Sequence, residues 1–292
     1  HPNSIVYKNG FYTSTVVRGV GKHWKEASVP RTKPSKAVIL AAGLGSRLDP
    51  TTDLPKPLVQ VDGLTLAERT VLALREGAGI MNFIIMTGHR ADIIAYHFDL
   101  ISRRYDVTID AVNATDWQLG NGASALAARK HVGNAPFFLT MTDHILDPEI
   151  AETLSKNVPE TGKMCLAVDR DKKGIFDLGD VTRVQIEDSQ IREIGKNLER
   201  WDAADTGVMI CTSGLFEGLE QAATNGLYGL SDGLRHLAER GRARAVDVTG
   251  KYWLDVDTPE ALLEAESREQ IQFAKEAELF TPDARSSGVT IR

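Results

Sequence analysis

Four apolar residues, Ala37-Val38-Ile39-Leu40, run directly into Ala41-Ala42-Gly43-Leu44-Gly45-Ser46-Arg47-Leu48, and Pro55-Lys56-Pro57-Leu58 follows. The apolar run reads as a buried strand. Two glycines and a serine then break it, and the free N–H groups of such a turn can gather around phosphate oxygens. Arg47 and Lys56 add two fixed cations to the same stretch. A loop of backbone donors and cations at the exit of a parallel strand is where α/β folds hold nucleotides. It is not a dinucleotide fingerprint: Leu48 stands where that motif needs a third small residue, and no strand ending in an acid follows at the required distance. Nor is it a Walker loop, since no Gly-Lys-Ser/Thr closes it. The stretch is therefore a phosphate cradle of another kind, with Leu40, Ala41, Ala42, Gly43, Gly45 and Ser46 as its nucleotide-binding candidates.

From residue 36 the hydrophobic pattern alternates between strand and helix. Strands are expected over 36–42, 83–86, 107–109 and 137–141, and helices over 65–77, 90–104 and 123–131. That order implies a mostly parallel sheet covered on both faces, an α/β/α sandwich. After residue 160 the strands crowd together, at 164–168, 181–186, 190–194, 208–211, 243–248 and 253–257, with a hairpin through Glu187-Asp188-Ser189. Helices are expected over 214–223 and 231–240. A last helix opens at Thr258-Pro259-Glu260, an N-cap followed by proline, and runs to about 278. The pattern divides the chain into an N-terminal extension (1–35), a domain (36–278) and a polar C-terminal tail (279–292). The extension carries a hairpin signal around Lys8-Asn9-Gly10 and a basic stretch. It reads as a surface element packed on the domain or on a partner subunit, which leaves a homodimer open, or as a cap over the site.

A net charge of −6 argues against a nucleic-acid binder, which carries a basic excess. No apolar run approaches the ~18 residues of a membrane span. Cys165 and Cys211 lie far apart in apolar, strand-like runs and read as reduced core residues of a cytoplasmic protein. Carboxylates fall where strands end: Asp143 after Leu139-Thr140-Met141-Thr142, and Asp255 and Asp257 in Trp253-Leu254-Asp255-Val256-Asp257. Hard oxygen ligands of this kind, beside a phosphate loop, suit Mg²⁺. Asp143 with Asp257 is the favoured pair, and Asp255 remains an alternative. His144 either orients its neighbouring aspartate or packs structurally.

The first stretch resembles the signature of the nucleotidyltransferases that make nucleoside-diphosphate sugars and alcohols. Further pieces follow in that family's order: Gly120-Asn121-Gly122, Thr142-Asp143-His144, Ile194-Gly195-Lys196-Asn197-Leu198, Asp205-Thr206-Gly207 and Trp253 to Thr258. Together they cover residues 36 to about 266, and within the superfamily they are most similar to the CTP:inositol-1-phosphate cytidylyltransferases. The resemblance implies a Rossmann-like, GT-A-like nucleotidyltransferase fold with a mixed, mostly parallel central sheet. It implies CTP and a small phosphorylated alcohol as substrates. It places Arg47 and Lys56 on the triphosphate, where their charge also suits them, and Lys196 on the acceptor phosphate. Asp205 and Thr206 would then contact acceptor hydroxyls. Asn121, Gly122 and Ser124, opening a helix, are candidates to read a pyrimidine edge, and Gly88 would let backbone approach the base.

The chemistry is coherent without the resemblance. A phosphomonoester is largely dianionic at pH 7, its second pKa being about 6, so its oxygen can attack an α-phosphorus and expel pyrophosphate with no general base. Catalysis is then positioning and charge neutralisation. Phosphocholine, a phosphonate or a sugar 1-phosphate are alternative acceptors. A non-catalytic regulatory homologue would be marked by loss of Arg47, Lys56 or the acids, all of which are present. The inositol-phosphate enzymes are often fused to a membrane phosphatidyltransferase, and this chain carries no such segment.

Overall fold

The computed structural model describes residues 32–45, 48 and 54–268. Ser46 and Arg47, the hairpin signal at residues 8–10 and the tail lie outside them. In chain order the strands are β1 (Lys36–Ala41), β2 (Gln60–Val61), β3 (Leu64–Thr65), β4 (Asn82–Thr87), β5 (Thr108–Asn113), β6 (Phe137–Met141), β7 (His144–Leu146), β8 (Met164–Asp169), β9 (Arg183–Glu187), β10 (Gln190–Gly195), β11 (Ala203–Cys211), β12 (Ala243–Asp247) and β13 (Trp253–Asp255). The helices are α1 (Leu66–Ala78), α2 (Ala91–Tyr105), α3 (Asn121–Ala127), α4 (Arg129–Val132), α5 (Pro148–Ser155), α6 (Ser213–Ala223), α7 (Leu230–Glu239) and α8 (259–268).

Nine strands form one sheet in the order β5-β4-β1-β6-β11-β8-β12-β10-β9. From β5 to β6 the pairs are parallel. β11 then enters antiparallel to both β6 and β8, β8 pairs parallel with β12, and β10 and β9 close the far edge antiparallel. The sheet is mixed, as expected, with its continuous parallel run confined to the N-terminal half. Alternation along β1 explains why it must be apolar from Ala37 to Ala41. Val38 and Leu40 feed the core under α3, α4, α6 and α7, while Ala37, Ile39 and Ala41 feed the core under α1, α2 and α5.

Local chemistry sets the element ends. Thr65 and Glu68 form a reciprocal capping box at the start of α1, and Gly79 ends it in the left-handed region. Asp188 and Ser189 both have positive φ, as the two-residue turn between β9 and β10 requires. Thr258 Oγ1 accepts from the Ala261 N–H at 3.2 Å and caps α8. Two expectations change, and one helix is new. The helix expected over 123–131 is two helices, α3 and α4, meeting at Ala128. The strand expected from 181 begins at Arg183, because Val181 and Thr182 belong to the preceding loop. Finally, α5 forms on an Asp147 cap with Pro148 at its first position.

Candidate active site

Two strand ends and one ribbon build the site. β1 and β6 run parallel side by side, with Leu40 opposite Met141. Beyond β1, the Ala42 carbonyl accepts from the His89 N–H at 3.1 Å. Beyond β6, the Thr142 N–H donates to the Leu40 carbonyl at 3.1 Å, and the buried Thr142 hydroxyl reaches the same oxygen. The chain then crosses through Asp143 into β7, which pairs antiparallel with β13 so that His144 faces Asp255. The Val256 N–H donates to the Asp143 carbonyl at 2.9 Å, bringing Asp257 to the same place.

Lys56 closes this space. It starts a short 3₁₀ turn behind the glycine loop and is only 8% exposed. Its Nζ lies 3.0 Å from Asp143 Oδ2 and 3.8 Å from Asp255 Oδ1, and it also pairs with Asp257 Oδ1. Gly45, at φ +64°, makes that closure possible, since a Cβ there would stand 2.7 Å from Lys56 Cβ. His144, also buried, has Nδ1 2.7 Å from Asp143 Oδ1. Its Nε2 edge lies against Gly207, where a Cβ would come within 2.3 Å at φ +76°.

The charges follow from this crowding. Burial works against the Lys56 ammonium, but Asp143, Asp255 and Asp257 outweigh it and raise its pKa. Burial would raise Asp143, yet Lys56 and His144 hold it well below the usual carboxylate range. His144 is opposed by burial and lifted by Asp255 and Asp143 to about 9. Asp255, buried and facing other carboxylates, is pushed up to about 6 despite His144 and Lys56.

On either side of the cluster lies a compartment. The smaller, about 340 Å³, is lined by Leu40 through Gly45, Lys56, Asn121 and Ser124, and also by Trp117. The larger, about 530 Å³, is lined by Lys196, Asp205, Asp169, Trp253 and the loop between β8 and β9. Asn121, Met141, Asp143 and Asp257 border both. The structure thus brings together most of the residues expected on the nucleotide side and sets Lys196 and Asp205 across the acids from them.

Two expectations are corrected. Thr206 does not face a compartment: it is fully buried and its hydroxyl donates to the Ala167 carbonyl at 3.0 Å. Neighbours on a strand point to opposite faces, so only Asp205 can serve the cleft. Gly122 offers no free donor, since its N–H goes to the Tyr228 carbonyl at 2.9 Å, and its lack of a side chain lets α3 approach residues 228–229. Gly88 packs against the lining of the smaller compartment: a Cβ there would stand 2.5 Å from a Trp117 ring carbon and 2.9 Å from the Ala42 Cβ. Asn121 is partly committed as well, its Oδ1 accepting from the Leu230 N–H at 2.7 Å.

The model of the MobA-like NTP transferase domain matches residues 37–243. The chain belongs to the MobA-like NTP transferase family. It is 37% identical over 227 residues to the bifunctional IPC transferase and DIPP synthase of Rubrobacter xylanophilus, covering 77% of this chain and 50% of that one. The protein of the same name from Thermococcus kodakarensis is 34% identical over 234 residues, 80% of this chain and 50% of its own. The chain therefore spans about half the length of these relatives. Among solved structures, the inositol-1-phosphate CTP transferase from T. maritima superposes with a TM-score of 0.71 at 22% identity, over 82% of this chain and 97% of that one. A UDP-glucose pyrophosphorylase gives 0.70 at 20% identity, over 82% and 99%. These two likenesses concern the fold, a nucleotidyltransferase Rossmann-like sandwich.

In this chain the acids fit a hard cation. Ligand atoms of Asp143, His144 and Asp255 lie within 4.8 Å of one another. Asp255 Oδ1 is buried and makes no hydrogen bond, an acceptor left over by the protein's own donors. Trp117, Asp169 and the 170–182 loop were not expected at the site. Trp117 had one visible signal, an aromatic residue three positions before Gly120-Asn121-Gly122. No helix among the described residues is long and apolar enough to cross a membrane.

Proposed function

We propose that this chain transfers CMP from CTP to a small phosphorylated alcohol, inositol 1-phosphate first, releasing pyrophosphate. The observation that carries this reading is the pair of compartments that share Asp143 and Asp257, with glycine-loop backbone and Lys56 on one side and a lysine with an aspartate on the other. The names of the half-matching relatives and of the inositol-1-phosphate CTP transferase narrow the acceptor.

CTP lies in the smaller compartment, its triphosphate on the loop from Ala42 to Ser46 and on Arg47 and Lys56. Asn121 and Ser124 meet the base edge. The acceptor lies in the larger one, its phosphate on Lys196 and a hydroxyl on Asp205. An acceptor phosphate oxygen attacks the α-phosphorus, the bond to the β-phosphate oxygen breaks, and pyrophosphate leaves with that electron pair. Lys56, charged throughout the physiological range, remains beside the reacting phosphates and balances the carboxylates around it. Asp143, with Asp255 and Asp257, would hold Mg²⁺, which when bound supplies positive charge to the phosphate oxygens. His144 holds one Asp143 oxygen, and the Lys56 ammonium meets the other.

The test is a pyrophosphate-release screen of the four NTPs against inositol 1-phosphate, phosphocholine, a phosphonate and sugar 1-phosphates, with Mg²⁺. CTP with inositol 1-phosphate should turn over fastest. A faster sugar 1-phosphate or phosphocholine would reassign the acceptor, and silence across the grid would end the enzymatic reading.

A further inference from the structure

We infer that Asp180 is a specificity-determining residue of the larger compartment: its carboxylate holds Lys196 until a phosphate group displaces it. This deepens the acceptor reading given above and rests on it. The wall that carries Asp180 is residues 170–182, between β8 and β9, and it is built rather than loose. Asp169 Oδ1 accepts from the Asp171 N–H at 2.8 Å, and the carbonyls of Asp171 and Asp177 accept from the N–H groups of Gly174 and Asp180 at 3.0 and 3.2 Å. Lys172 ties the wall to the next loop: its Nζ donates to the Trp201 carbonyl at 2.7 Å and lies 3.9 Å from the centre of the Trp201 ring. At the other end the Thr182 carbonyl accepts from the Asp205 N–H at 2.9 Å. Between these anchors Lys196 Nζ donates to Asp180 Oδ1 at 2.5 Å.

The pair is placed to be exchanged. Lys196 is 55% and Asp180 38% exposed, so solvent screens them and their mutual hold is weak. A phosphomonoester near pH 7 brings more negative charge than one carboxylate, and three strong acceptor oxygens. It can take Lys196 from Asp180. A neutral hydroxyl cannot, because it would leave an ammonium and a carboxylate to be separated for an uncharged partner. Asp180 thus favours phosphorylated alcohols over their unphosphorylated counterparts by the few-fold that an exposed pair is worth, at the cost of some affinity for every acceptor.

Calorimetric titration of inositol 1-phosphate into the full chain, compared with Asp180→Asn, reads this directly. The variant should bind roughly three- to fivefold more tightly, the size expected for freeing one exposed ion-paired lysine. Asp180→Ala should change affinity in the same direction, and circular dichroism checks that both variants fold. The gain should vanish when Lys196→Ala is present in both proteins. Equal or weaker binding by Asp180→Asn would overturn the proposal, as would a gain that survives without Lys196 or no measurable binding to any of the proteins. Failure of the underlying reading registers separately, as no pyrophosphate from CTP with any phosphorylated acceptor whatever the calorimeter records.

Discussion

Removing the Lys56 ammonium would leave Asp143, Asp255 and Asp257 turned toward one space, with the charge that balances them gone. The same change would present an incoming triphosphate with carboxylates alone. We expect Lys56→Ala to lower turnover by about 10²–10³-fold, the scale of losing one oriented electrostatic contact in a water-poor site. Steady-state pyrophosphate release, with a circular dichroism check of folding, measures it, and near-normal turnover would remove Lys56 from the reaction. Gly207 makes a second demand at this scale. An alanine there would have to hold φ near +76° and push aside the His144 ring that braces Asp143. The backbone strain alone costs about 1–2 kcal/mol. Gly207→Ala should therefore lower urea-unfolding stability by at least that much and depress turnover together with it. A variant as stable and active as the parent would show that the His144 contact is not needed.

Glu68 shows how one element end ties two helices together. Its carboxylate accepts from the Thr65 N–H at 2.9 Å, from the Tyr105 hydroxyl at 3.1 Å and from Arg104 at 2.9 Å, linking the start of α1 to the end of α2. Burial would raise its pKa, but these partners outweigh burial and lower it. A lowered folded-state pKa means that the stabilisation is complete above the ordinary glutamate value of about 4.3 and fades as pH falls through the folded-state value. Glu68→Gln should cost about 1–3 kcal/mol at pH 7, and urea titrations should show the gap to the parent closing in acid. A gap independent of pH would mean that charge plays no part. Much of this element scale was legible in advance. The loop after β1 announced itself because an apolar run met glycines and cations, and the box Thr65–Glu68 lies within a visible helix start. Asp143, Asp255 and Asp257 were legible as acids at strand ends. What stayed hidden depends on partners distant in sequence. The Gly122 N–H is taken by Tyr228, and Thr206 is turned away by strand parity, which one residue of register decides. The 170–182 wall has no periodicity to read, and its role emerges only when Lys172 meets Trp201 and Asp180 meets Lys196.

At the scale of the whole molecule, the change in the sheet separates the two compartments. The parallel half, β5 to β6, ends in the glycine loop and gives the smaller compartment its backbone donors. The mixed half, from β11 to β9, gives the larger compartment Asp205, Lys196 and the wall around them. The β7–β13 ribbon stands beside the sheet, and the Trp253 Nε1–H donating to Asp169 Oδ2 at 2.9 Å ties it to β8, so the acids meet at the seam between the halves. If each compartment takes one substrate, donor and acceptor binding are separable by mutation. The direct measurement is the pair of KM values, for CTP and for inositol 1-phosphate, in Lys196→Ala. Loss of one charge-assisted contact should raise the acceptor KM by about tenfold or more and leave the CTP value close to that of the parent. A parallel rise in the CTP KM, or an unchanged acceptor KM, would contradict the assignment of the two compartments.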